Sequence, residues 1–177
     1  GTAVIDTRAA GAFAEGHIPG TVNIPLNKSF STWAGWLVAY DVDIHLIAED
    51  QHAVQLAVRE LAMIGLDRVA TWYAPAVLGD FQAAGHELGV VAKVDAHGLA
   101  ARLARGEVTL VDVRSRTEWE AGHLPGAIHI PVGYLAERLS EIPRDKPVVL
   151  HCQSGARSAI ATSVLLKLGV ARATDMV

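Results

Sequence analysis

The chain has 177 residues, of which 51% are hydrophobic and 19% charged, and a formal net charge of −4, the profile of an ordinary globular protein. It holds no run of about 18 apolar residues that would span a membrane, and Lys and Arg are scattered instead of forming a patch for nucleic acid. A single cysteine, Cys152, excludes an internal disulfide and a resolving thiol, which fits a reducing, cytoplasmic setting.

In chain order, Gly1-Thr2 leads straight into the apolar Ala3-Val4-Ile5 with no secretory signal before it. Val4-Ile5-Asp6-Thr7-Arg8 reads as a buried strand ending in Asp-x-Arg. A short helix over 9–15, the turn Gly16-His17-Ile18-Pro19-Gly20 and a second strand leading to Ile24-Pro25 follow. Beyond it, Trp33, Trp36, Leu37 and Tyr40 form an apolar and aromatic patch expected to pack on the core, the alternative being a docking face for a missing domain. A strand over 44–47 and a helix over 53–64, stopped by Gly65, complete the pattern. After Gly85-His86-Glu87-Leu88-Gly89, Asp95 is placed to cap a helix over 96–104. The pattern then returns as Leu110-Val111-Asp112-Val113-Arg114, a helix over 117–121, Gly122-His123-Leu124-Pro125-Gly126 and Ile130-Pro131. A strand over 148–151 and a helix over 157–168, stopped by Gly169, end it.

The identical spacing of the two copies predicts a duplication: two α/β domains, residues 1–89 and 90–177, each a mainly parallel sheet flanked by helices. Nothing before Gly1 plays the part of the 96–104 helix, and the second copy stops soon after the point where the first continues. Both outer ends therefore read as incomplete, with the polypeptide extending further. In such sheets ligands bind at the carboxyl ends of strands, where Cys152 lies. Ala48 stands at the equivalent place in the first copy, beside the carboxylates Glu49 and Asp50, which repel an anion, so that copy is expected to be silent.

The turn after the strand, Cys152-Gln153-Ser154-Gly155-Ala156-Arg157-Ser158, is small and contains a glycine. Such a turn lets successive backbone N–H groups converge on one anion, and the following helix adds the positive end of its dipole. A thiolate there is expected to have a depressed pKa, since free cysteine near ~8.5 falls to roughly 3.5–7.5 in electropositive, partly exposed settings. Arg157 either braces the turn or meets an anionic donor. His17 and His123 occupy the shared Gly-His-x-Pro-Gly turns and are read as fold residues that bond backbone carbonyls, and Asp6, Arg8, Asp112 and Arg114 as a buried polar brace. Alternation aims His151 at the opposite face of its strand from Cys152. No His, Cys and carboxylate grouping has metal-ligand spacing, and no cofactor is implied.

The Asp112-x-Arg114, Glu118-Trp119-x-x-Gly122-His123-x-Pro125-Gly126-Ala127 and Cys152-to-Ser158 motifs resemble the rhodanese family of sulfurtransferases, as a tandem pair. The resemblance implies that Cys152 attacks the outer sulfur of a donor such as thiosulfate or a low-molecular-weight persulfide, and passes that sulfur to a thiol or cyanide. Residues 24–36 resemble the insert of rhodanese repeats fused behind a metallo-β-lactamase-fold domain, which implies such a domain as a partner in the same polypeptide. Two rivals stand beside this reading. Cysteine-dependent phosphatases and arsenate reductases also cradle an anion between Cys and Arg, but with five intervening residues, whereas four lie between Cys152 and Arg157 here. A non-catalytic scaffold or sulfur-relay module is the other.

Overall fold

In the computed structural model, which describes residues 1–177, the chain separates into the units Gly1–Val90 and Val91–Val177. The first unit runs β1 (Thr2–Asp6), α1 (Ala10–Glu15), β2 (Val22–Asn23), α2 (Phe30–Leu37), β3 (Asp43–Ile47), α3 (Gln51–Ala62), β4 (Val69–Tyr73) and α4 (Val77–Ala83). Its sheet has the order β2-β1-β3-β4 with every neighbouring pair parallel. The second runs β5 (Ala92–Val94), α5 (Ala96–Ala104), β6 (Thr109–Asp112), α6 (Arg116–Ala121) and β7 (Ile128–His129). Two single 3-10 turns then lead to β8 (Val148–His151), α7 (Ala156–Lys167) and β9 (Ala173–Met176). Its sheet, again all parallel, has the order β5-β9-β8-β6-β7. Both units are thus α/β, and no helix is long and apolar enough to cross a membrane.

The central strands read as continuous apolar runs because both faces of a parallel sheet are covered. Leu110, Val111, Val148, Val149 and Leu150 are all buried, as are Ile5, Ile44, Leu46 and Ile47 in the first unit. On one face of the second sheet, Leu99 of α5 closes a core with Val108, Leu110 and Val149. On the strands' other face α7 packs along β8 and β9, burying Ile160, Ala161, Val164 and Leu165. The Asp95 side chain caps α5, accepting from the Gly98 N–H at 2.7 Å.

In both units the Asp-x-Arg motif forms one device. Arg8 Nη2 donates to Asp6 at 2.6 Å and to the Gly16 carbonyl at 2.9 Å; Arg114 Nη2 donates to Asp112 at 2.6 Å and to the Gly122 carbonyl at 2.8 Å. Each carboxylate is fully buried at the end of a strand. The arginine links that strand end to the residue that closes the next helix and opens the Gly-His-x-Pro-Gly turn. A lone buried carboxylate is costly, so the pair holds this corner only while both partners are present.

One expectation is corrected. Trp36 and Tyr40 do not pack on the core but are 53% and 58% exposed. The i, i+4, i+8 stripe that faces inward is Phe30, Ala34 and Val38, and Trp36 lies on the side of α2 turned away from it.

Asp112→Ala would leave Arg114 without its partner at a buried corner. Breaking such a pair costs on the order of 3 kcal/mol, read as a lowered urea midpoint for the unfolding of the second unit.

Candidate active site

Strand β8 lies between β6 and β9 and ends at His151, which places Cys152 just beyond its carboxyl end. The turn that follows enters α7 through Gly155, at φ +81° and ψ −18°. An added Cβ at Gly155 would meet nothing within 4 Å, so the requirement for glycine is conformational and not steric crowding. No side chain caps α7, and its first N–H groups are left for the sulfur. The Ser158 N–H donates to Cys152 Sγ at 3.4 Å, and the Ser158 Oγ lies 3.6 Å from it. Burial by itself pushes the Cys152 thiol up. The N–H and hydroxyl of Ser158 and the N–H groups of Ser154 and Arg157 outweigh it and hold the thiol below its ordinary value.

Because the folded thiol ionises more readily than the unfolded one, this anion adds stability that is full above the unfolded pKa and is lost as pH falls through the folded one. Ser158 is wholly buried and also donates from Oγ to the Gly155 carbonyl at 3.0 Å. On β9, Asp175 is buried, and burial pushes its carboxyl up. Gln153, Ser154 and Ala156 are exposed, so the turn's contribution is made mainly by its backbone.

Arg157 faces both a carboxylate and the Cys152 sulfur. Its Nη1 and Nη2 donate to the two oxygens of Glu118 at 2.6 and 2.7 Å, a bidentate fork that uses the guanidinium as a brace between α6 and the turn. Glu118 also accepts from the Ser115 N–H and hydroxyl, at 3.0 and 2.7 Å, while the Ser115 Oγ accepts from the Glu118 N–H, a complete capping box. The Arg157 guanidinium and the Ser115 donors keep the Glu118 carboxyl far below the usual carboxylate range. Sequence reasoning missed this residue as part of the site, although Ser115-x-x-Glu118 is a legible capping signal.

The first unit presents the same position differently. Ala48 follows β3 where Cys152 follows β8, since Ile47 pairs with Asp6 as His151 pairs with Asp112. There Asp50 caps α3, accepting from the Ala53 N–H at 2.8 Å, so a carboxylate occupies the N–H group that in the second unit serves sulfur. Ala9, Ala12 and Ala53 stand where Ser115, Glu118 and Arg157 form the brace.

Cys152 opens into a cavity of about 350 Å³ lined by Arg114, Gly122, His123, Leu124 and His151. His151 therefore borders the same space as the thiol, contrary to the expectation from alternation, because the strand ends there and its ring turns onto Asp112, Nε2 lying 3.3 Å from Oδ2. It is buried, and burial pushes its pKa down. His123 is exposed, and its Nδ1 contacts the Trp119 carbonyl at 3.0 Å, as Nδ1 of His17 contacts that of Phe13 at 3.1 Å. No group of three or more His, Cys, Asp or Glu side chains is arranged to hold a metal ion.

Such a parallel α/β domain with an anion-binding turn around a cysteine defines a class of thiolate-bearing domains. The family model described as a rhodanese-like domain matches residues 95–176. A sulfurtransferase of Allochromatium vinosum is 40% identical over 88 residues, 49% of this chain and 82% of that protein. The chain belongs to the rhodanese family. A human single-domain sulfurtransferase structure is 34% identical, with a TM-score of 0.43, covering 50% of this chain and 89% of that one. A Staphylococcus aureus metallo-β-lactamase structure is 41% identical, with a TM-score of 0.39, over 41% of this chain and 21% of that one. Of other curated relatives the chain spans only 24%, 48% and 38%.

Gly155→Val would force a β-branched residue into the left-handed region, costing roughly 1–2 kcal/mol, and turn the N–H groups off the sulfur. The pH profile of Cys152 alkylation by iodoacetamide is expected to move to higher pH. Glu118→Gln is expected to move it in the same direction by a smaller amount.

Proposed function

We propose that the second unit is a sulfurtransferase that carries sulfane sulfur on Cys152, from a donor such as thiosulfate or a low-molecular-weight persulfide to a thiol or cyanide. The observation that carries this reading is a lone, half-buried sulfur beside the uncapped start of α7, where it accepts the Ser158 N–H at 3.4 Å. That setting favours the thiolate, the nucleophilic form, over the thiol. The Cys152 sulfur attacks the outer sulfur of the donor, the bond within the donor breaks, and the leaving group departs with its electron pair. The terminal sulfur of the resulting persulfide is again an anion, and the same helix start stabilises it without rearranging.

The phosphatase reading is disfavoured by Arg157. Two of its five N–H donors are committed to Glu118, and only four residues lie between Cys152 and Arg157, a tight cradle for a tetrahedral oxyanion. The first unit, with Ala48 and a carboxylate-capped helix, is proposed to be silent and to serve as scaffold. The resemblance of residues 24–36 extends the proposal to a metallo-β-lactamase-fold neighbour in the same polypeptide.

Incubation with thiosulfate or glutathione persulfide is expected to add one sulfur atom to Cys152 by intact mass, and cyanide to release it as thiocyanate. Cys152→Ser abolishes both; equal thiocyanate release by the two proteins sinks the assignment. Ala48→Cys in the Cys152→Ser background is expected to take up no sulfur, because the Asp50 side chain already occupies the Ala53 N–H.

A further inference from the structure

The Gly-His-x-Pro-Gly turn occurs in both units, and its histidine has opposite surroundings in each. His17 lies flat on Phe13, ring centroids 4.0 Å apart and planes 9° apart, and His123 lies flat on Trp119 at 3.5 Å and 9°. Each directs Nδ1 at the carbonyl of the aromatic residue beneath it. A carbonyl only accepts, so Nδ1 carries a proton, and in the neutral form of such a ring Nε2 is the acceptor. In the first unit that edge is shut: His17 is 4% exposed, and Gly89 approaches so closely that a Cβ there would stand 2.5 Å from Nε2. The backbones of His17 and Gly89 pair at 3.0 and 2.8 Å to hold it so. In the second unit the ring is exposed and borders the cavity that contains Cys152.

Extending the sulfurtransferase reading, we propose that His123 is the general base of the second half-reaction and accepts the proton of an incoming alkyl thiol. The first half-reaction draws on a sulfur whose N–H donor, Ser158 at 3.4 Å, favours the thiolate. The second needs a base, since alkyl thiols are largely protonated at neutral pH. As the thiol sulfur forms its bond to the outer sulfur of the Cys152 persulfide, its proton passes to His123 Nε2. The bond between the two persulfide sulfurs breaks, its electron pair stays on Cys152 Sγ as thiolate, and the product leaves as a new persulfide anion. The proton on His123 is then lost to solvent.

The other groups around the cavity are unsuited to the task. His151 is turned onto Asp112 and buried, and Arg114 is paired with Asp112. Trp119 also stacks with His129 at 4.7 Å, whose Nε2 lies 2.9 Å from the Arg114 carbonyl. That stack fixes the plane of Trp119 and, with it, the direction of His123.

The experiment separates the two half-reactions. His123→Asn keeps a side-chain donor for the Trp119 carbonyl and removes the basic ring nitrogen Nε2. The wild type and the variant are loaded with thiosulfate or glutathione persulfide, and decay of the persulfide is followed with a series of thiols. Transfer to alkyl thiols is expected to slow by on the order of 10²-fold, the usual loss with a general base. Transfer to an aryl thiol that is already ionised is expected to change only a few-fold, and added imidazole to restore part of the alkyl-thiol rate. Equal losses across the series, no loss, or a variant that no longer loads while the wild type does overturns the role of His123. A wild-type chain that takes up no sulfur overturns the transferase reading itself.

Discussion

The second unit is organised around an anion's need for donors. A sulfur at the end of a buried strand has no water shell on most sides, and burial alone would leave it protonated and unreactive. What reverses the balance is a helix that starts without a side-chain cap, so that its first N–H groups have the sulfur as their partner. The left-handed Gly155 makes that start possible. Glu118 then holds Arg157, in the first turn of α7, at a fixed distance from the preceding helix.

The two copies show how little of the scaffold this depends on. Strand order around the central strands, the buried Asp-x-Arg corner and the histidine turn are the same in both. The differences lie at a few contacting positions: Ala48 for Cys152, Asp50 as a cap, and Ala9, Ala12 and Ala53 for the brace. These replacements agree with one another. Helix α3 starts with a carboxylate cap, and alanine stands where α7 carries its arginine. Capping a helix and nesting an anion are alternative uses of the same N–H groups, and each unit has adopted one.

Much of this was legible in the amino-acid order, and the reason is local. Asp-x-Arg, the Gly-His-x-Pro-Gly turn and the Cys152 turn each act within a dozen residues, so spacing alone reports them. The helix stops at Gly65 and Gly169 and the Asp95 cap were equally plain. What escaped depends on partners distant in the chain. Glu118 meets Arg157 across 39 positions, and the opposite surroundings of His17 and His123 depend on Gly89. Helix α2 was misjudged for a different reason: apolar side chains occur all round it, and periodicity cannot choose the inward face when Phe30, Trp33 and Trp36 all qualify. His151 escaped because strict alternation fails where a strand ends.

The fork between Arg157 and Glu118 shapes the electrostatic field around Cys152. Arg114 is likewise matched by Asp112, so each arginine beside the sulfur is neutralised by a carboxylate. Opposed pairs of this kind project little potential into solvent beyond a Debye length of about 8 Å at physiological ionic strength. The two arginines therefore add little long-range field around Cys152, and their pull on an anion is confined to contact distance.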